Sequence, residues 1–134
     1  IATGSDAPVE ERLVQVMAAL LRGFAEEPYV PRLLFEQVVF AEDDVIDRFA
    51  EHFGHEHLDA IRRLLEDGPS QGRFRRVDLE MAVAAIGGVC IFFAAASPLV
   101  QRLMNLDPLT ADNVDDIARR AADLLTHGLA AAKP

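Results

Sequence analysis

Three histidines fall within six positions of this chain, and acidic residues surround them: His52, His55 and His57, with Glu51, Glu56 and Asp59. On a helix the first two histidines share one face, and two imidazoles with a carboxylate can bind Zn²⁺ or another transition metal. No second cluster of ligands completes such a site, and a solvated helix surface explains the same pattern. We therefore expect no metal here, although a small all-α metal-binding enzyme using these histidines stays open as an alternative.

Other patterns that carry chemistry are missing from the sequence. A di-metal carboxylate bundle needs Glu-x-x-His on two helices, and no Glu here is followed three positions later by His. The chain has no Gly-rich phosphate loop and no serine in a nucleophile-elbow context. Its one cysteine, Cys90, has apolar neighbours, which favours an inert buried thiol. We expect no catalytic residue, no cofactor and no enzyme activity.

Length and charge limit the remaining classes. The 134 residues are enough for one domain with a buried core, and we expect a single domain over residues 1–134. The net charge of −9 disfavours direct binding to nucleic acid, and the cluster of Arg73, Arg75 and Arg76 is too small to reverse this. No signal peptide is visible, so a cytoplasmic location is expected.

Helical periodicity and helix-boundary residues predict an all-α fold, a helical bundle of about five to six helices. The apolar residues recur at helical spacing in every long segment, and no segment alternates with period two. The expected boundaries are a start at Asp6–Glu10, a stop at Pro28, a restart at Pro31, a third helix from Glu42 that bends near Gly54, and a loop from Gly68 to Gly72. Asp78 is expected to cap a long helix ending near Ala96, Ser97-Pro98 to open a short helix, and Thr110 to cap the last one.

The twenty residues from Met81 to Val100 contain no charge. That length could just span a bilayer, or it could form a helix buried on nearly every side. Because the other segments are amphipathic and acidic, we expect a buried helix and no membrane contact. Gly87 and Gly88 lie inside this helix, where they suit close contact with another helix or mark a simple kink.

The chain also contains a group of phenylalanines at helical positions, including Phe24, Phe35, Phe49 and Phe53. They fit either an ordinary hydrophobic core or an apolar cavity with a few polar groups, which is the usual form of a small-molecule site. The sequence leaves these two interpretations open.

The order of these pieces resembles the C-terminal domain of TetR-family transcriptional regulators. A third helix ending in LLEDG is followed by the segment GRFRRVD (residues 72–78), the long apolar helix and a closing amphipathic helix that ends LLTHGLA. In the family, a stretch similar to GRFRRVD leads into the first of two helices that form the dimer interface. The resemblance extends from about Pro8 to Ala131.

The resemblance implies an effector-sensing and dimerisation domain of a repressor. Its ligand is expected to be a small hydrophobic effector, apolar or aromatic, and the last two long helices are expected to form a four-helix interface in a homodimer. The family's N-terminal helix-turn-helix domain has no match here, so DNA would be contacted only through a domain absent from this chain. A helical dimerisation module with no ligand is the other alternative.

Helix faces then assign residues to the two expected surfaces, although the two sets could exchange members. The expected ligand-binding residues are Leu20, Phe24, Phe35, Val38, Phe49, Phe53, Ile86 and Cys90. The expected dimer-interface residues are Gly87, Gly88, Ile91, Ala95, Ile117, Ala121, Leu124 and Leu125.

Overall fold

The computed structural model describes residues 7–38, 40–52 and 55–131, without the side chains at positions 37, 38, 49 and 52. Within these ranges the chain forms seven α-helices and one π-helical segment, and no strand. The all-α prediction is therefore confirmed. The elements are α1 (Val9–Glu26), α2 (Tyr29–Leu33), the π-helical segment (Leu34–Val38), α3 (Asp43–His52), α4 (His55–Ser70), α5 (Leu79–Ala95), α6 (Ser97–Met104) and α7 (Ala111–Leu129).

Helix α1 is the centre of the bundle, because it packs against α4, α5 and α7. Its apolar side chains recur every three to four residues, and Leu13, Met17 and Leu21 on this stripe are fully buried. The same helix buries one charge: the guanidinium of Arg12 pairs with the carboxylate of Asp67 on α4 at 2.5 Å. Removing Asp67 would leave the buried Arg12 charge without its partner, so this contact fixes α1 against α4.

Two helix boundaries differ from the prediction. Helix α2 begins at Tyr29, and Pro31 lies inside its first turn, where the missing N–H of proline would have no helical partner in any case. Helix α4 continues through Gly68 and Pro69 to Ser70. The loop therefore begins after Ser70 and not at Gly68, where it was predicted. The predicted start of α1 at Asp6 lies outside the described residues; the helix itself begins at Val9 after Pro8.

The predicted caps of the two long C-terminal helices are confirmed. The Asp78 carboxylate accepts a hydrogen bond from the Met81 N–H at 2.9 Å, and the Thr110 hydroxyl accepts one from the Asn113 N–H at 3.3 Å. Ser97 does not cap α6, because Ala96 occupies the N-cap position and Ser97 is already helical.

No single described helix is long and apolar enough to span a bilayer. Helices α5 and α6 meet the criteria of length and composition only as a pair, and they are bent by 79° relative to each other. Helix α5 instead packs against α1, α4 and α7.

The segment between α4 and α5 ties three helices together. Gly72 adopts a positive φ of 68°, which turns the chain back over α4. Phe74 is then buried against Gly68, the Arg73 guanidinium pairs with Glu10 of α1 at 2.8 Å, and the Arg75 N–H donates to the carbonyl of Leu129 at 2.7 Å. These contacts join the ends of α1, α4 and α7 immediately before α5 begins.

The contact between Gly68 and Phe74 yields a stability prediction. A Cβ added at position 68 would lie 2.5 Å from the Phe74 ring, which is too close for any real contact. We expect Gly68→Ala to lower the free energy of unfolding by about 1–3 kcal/mol, the usual effect of overpacking. Urea unfolding followed by circular dichroism measures this change.

Gly23→Ala is the matched control, because a Cβ at that helical position meets nothing within 4 Å. Alanine there should raise the free energy of unfolding by up to about 1 kcal/mol through helix propensity. Equal effects of the two substitutions would contradict the proposed crowding at Gly68.

Candidate functional site

Helix α5 presents three neighbouring rows of residues, each with a spacing of four, and the rows differ in burial. The first row is buried in the core, the second is half-buried and the third is exposed. Successive rows are offset by one residue and therefore by about 100° around the helix. We call them the core row (Ala82, Ile86, Cys90 and Ala94), the cavity row (Val83, Gly87 and Ile91) and the outer row (Ala84, Gly88 and Phe92).

The cavity row faces an apolar cavity of about 500 Å³. Its walls come from α1, α2, α3, α4 and α5 and from the π-helical segment, so most of the bundle contributes to it. This volume lies within the usual range of small-molecule sites. The described lining consists of Leu20, Gly23, Phe24, Glu27, Val30, Leu34, Ala50, His55, His57, Leu58, Ile61, Val83, Gly87 and Ile91.

Two further concavities of comparable size have walls that combine apolar side chains with exposed charged ones. One, of about 540 Å³, lies beside Arg62, Glu66 and Arg76; the other, of about 440 Å³, is crossed by an exposed ion pair of Arg22 with Asp115 at 2.6 Å. Exposed charged walls of this kind remain hydrated and supply little driving force for an apolar ligand. The apolar cavity beside α5 is therefore the candidate ligand site.

The structure places the expected ligand-binding residues in different surroundings. Leu20 and Phe24 line the apolar cavity. Ile86 and Cys90 belong to the core row and are not in the described lining, and Phe35 is half exposed on the π-helical segment, away from that lining. The side chains of Val38 and Phe49, and the whole of Phe53, lie outside the described residues.

His57 is one of the cavity-lining residues that the sequence analysis did not assign to the ligand site, because its cluster was assigned to a solvated surface. It lies four residues before Ile61 and seven before Leu64, which are both buried, so the helical period of α4 was the available signal. Its Nδ1 is closed off from water and has no hydrogen-bond partner among the described residues. Burial lowers the pKa of His57 below 6.5, while the Glu56 carboxylate acts in the opposite direction.

The three histidines do not come together as a described metal centre. His55 and His57 both line the cavity, whereas the His52 side chain lies outside the described residues. Across the parts of the chain that the structure describes, no three His, Cys, Asp or Glu side chains are grouped so that they could hold a metal ion.

The outer row of α5 forms an uncharged stripe on the surface. Phe92 is 48% exposed, and Met81, one turn before Ala84, is 62% exposed. Helix α7, which contacts α5, adds Leu124 at 75% exposure. Large exposed apolar side chains on helices that pack against each other make this a candidate interaction surface.

The expected dimer residues divide between this surface and the interior. Gly88 and Leu124 are exposed, and Ala95, Ala121 and Leu125 are half-buried. Of the remaining three, Ile117 is buried in the core, and Gly87 and Ile91 line the cavity.

Comparison with known proteins identifies the family. A family model described as "Tetracyclin repressor-like, C-terminal domain" matches residues 6–134. The chain belongs to this TetR-like family. No curated protein and no solved structure matches it.

This assignment confirms the resemblance to TetR-family C-terminal domains that the sequence analysis found in residues 72–78 and the helices around them. TetR-like C-terminal domains are effector-binding and dimerisation domains of transcription regulators, and they typically dimerise and bind small-molecule effectors.

The core row yields a prediction about Cys90. Its thiol is fully buried, lies 3.8 Å from the Met17 carbonyl oxygen, and has its pKa raised to about 12 by burial. Because the thiolate is the reactive form, Ellman's reagent at pH 8 should leave the native protein unmodified. The same reagent should titrate one thiol per chain in guanidinium chloride, and rapid reaction of the native protein would contradict this burial.

Proposed function

We propose that this TetR-like domain binds a small apolar or aromatic effector in the cavity beside α5 and forms a homodimer through α5 and α7. The observation that carries the proposal is the arrangement of rows on α5. The cavity row and the outer row lie side by side on one rigid helix, so the same helix touches the ligand space and the exposed surface. The core row anchors that helix to α1.

The apolar lining supports an effector whose binding depends on hydrophobic burial. Most of the described wall is aliphatic or aromatic, and its polar side chains are Glu27, His55 and His57. Gly87 leaves open space on the α5 side of the cavity, because a Cβ there meets nothing within 4 Å. A bound ligand would therefore rest directly against the backbone of α5.

The outer surface supports a symmetric contact between two copies of the domain. Gly88 has no side chain and meets nothing within 4 Å at its Cβ position, which allows the backbone of a second helix to approach closely. Phe92, one turn further along α5, and Leu124 of α7 are exposed apolar side chains that would add apolar area to the contact. Two such helices from each subunit would form a four-helix interface.

The two roles together suggest how the effector acts on DNA binding. A ligand that favours one position of α5 shifts the population between two arrangements of the dimer. The DNA-reading domains, outside residues 1–134, would then change their separation, and half-site spacing determines operator affinity. The net charge of −9 is consistent with DNA contact through another domain.

The dimer is tested by light scattering coupled to size-exclusion chromatography at micromolar concentration. The wild-type chain is expected at twice its mass of 14.7 kDa. Gly88→Arg should shift the protein to monomer, because it places a charge in the middle of the uncharged stripe without disturbing the subunit. Glu26→Arg, at an exposed position of α1, is the control and should remain dimeric. A monomeric wild type would overturn this half of the proposal.

The cavity is tested by thermal shift with uncharged aromatic compounds, using naphthalene as the reference probe. A ligand that binds only the folded state stabilises it by about 2.7 kcal/mol at one hundred times its Kd, which raises the Tm by several degrees. We expect this shift in the wild type and in Gly88→Leu, and its loss in Gly87→Leu.

The two leucine variants make the same substitution at adjacent helical positions, one in the cavity row and the other in the outer row, so the probe's shift is measured against the same variant without probe. Each gains helix propensity over glycine, so a lost shift in Gly87→Leu reflects a filled cavity and not a damaged fold. Equal ligand shifts in the two variants would place the binding site elsewhere.

A further inference from the structure

The apolar cavity contains one polar group whose bonding is incomplete. His57 lines the cavity from α4, and its Nδ1 is shielded from water without a hydrogen-bond partner among the described residues. Because Nδ1 is closed off while the residue lines the cavity, Nε2 is the ring nitrogen left to meet a cavity occupant.

The burial of Nδ1 assigns the tautomer of this ring. A shielded N–H without an acceptor is rarer and less favourable than a shielded acceptor without a donor. The neutral ring therefore carries its proton on Nε2, an assignment that follows from burial and not from an observed hydrogen. Burial also lowers the pKa of His57, so the ring is neutral near pH 7. In this tautomer the single N–H donor of the ring is Nε2–H.

The charge of the lining restricts what can accept that hydrogen bond. The other polar side chains of the described wall are Glu27 and His55, both exposed, and this wall has no Lys or Arg. A carboxylate ligand would lose its hydration without gaining a cation, and the carboxylate of Glu27 would repel it. An uncharged oxygen avoids both penalties.

We propose that the effector is an uncharged, mainly apolar molecule with one carbonyl or hydroxyl oxygen that accepts a hydrogen bond from Nε2–H of His57. This inference rests on the proposed function, since it names the chemical class that the cavity takes. The apolar lining supplies most of the affinity, while His57 selects an oxygenated compound over a hydrocarbon of the same shape.

Three naphthalene derivatives of nearly the same shape test the proposal by isothermal titration calorimetry. They are 2-acetonaphthone, which has a carbonyl oxygen, 2-isopropenylnaphthalene, in which a CH₂ group replaces that oxygen, and the anion 2-naphthoate. The quantity of interest is the ratio of affinities for the ketone and the alkene. We expect this ratio to fall roughly three- to tenfold from the wild type to His57→Phe, as for a single lost hydrogen bond. Naphthoate should bind most weakly to the wild type.

Two further variants separate the hydrogen bond from packing. His57→Gln should keep most of the ketone preference, because its side-chain amide can present an N–H near the position of Nε2. His127→Phe is the matched control and should leave the ratio unchanged, since His127 is exposed on α7 and bonds to the Asp123 carbonyl within its own helix.

The outcomes distinguish this inference from the proposed function. Suppose that the alkene binds the wild type but not Gly87→Leu, and that His57→Phe leaves the ketone-to-alkene affinity ratio unchanged. The cavity is then supported as the ligand site, and the role of His57 is overturned. Tightest binding of 2-naphthoate would overturn the uncharged class. If neither uncharged probe binds the wild type, or both bind Gly87→Leu equally well, the proposed function and this inference fail together.

Discussion

The arrangement of this domain depends on α5 being apolar on every side. An ordinary surface helix buries one stripe and exposes charge on the opposite face. Helix α5 has no charge from Met81 to its end, and its three rows face the core, a cavity and the outer surface. A helix without a polar face needs a partner on each side, and α1 provides only one of them. The cavity and the uncharged surface stripe are both consequences of this constraint.

The same constraint explains which part of the site could be predicted from the sequence. The caps at Asp78 and Thr110 and the stripe of α1 are local signals, and the structure confirms them. The rotation of α5 has no such signal, because an apolar pattern without polar residues fixes no face. From the sequence, Ile86 and Cys90 were expected at the ligand and Gly87 and Ile91 at the dimer face. In the structure Ile86 and Cys90 lie in the core row, and Gly87 and Ile91 lie in the cavity row.

Helix α4 shows the opposite situation. Its apolar pattern did indicate a buried stripe through Ile61 and Leu64, and His57 continues that stripe by one turn. The histidine was nevertheless grouped with His52 and His55 by residue type, which hid its position on the helix. The cavity itself was one of two open interpretations, because a set of phenylalanines does not reveal whether the space between them is filled. That information depends on how the helices pack, and no local pattern contains it.

The segment from Gly72 to Asp78 carried most of the family resemblance, and its contacts are with α1, α4 and α7, not with the cavity. The features that identify the family are therefore separate in space from those that would choose a ligand. A similar separation exists within α5, where the cavity row and the outer row lie on different sides of the same helix. A substitution in the cavity row changes the shape of the cavity and leaves the outer row as it was. If the proposed function holds, new effector specificities can evolve one side chain at a time without requiring a new partner surface.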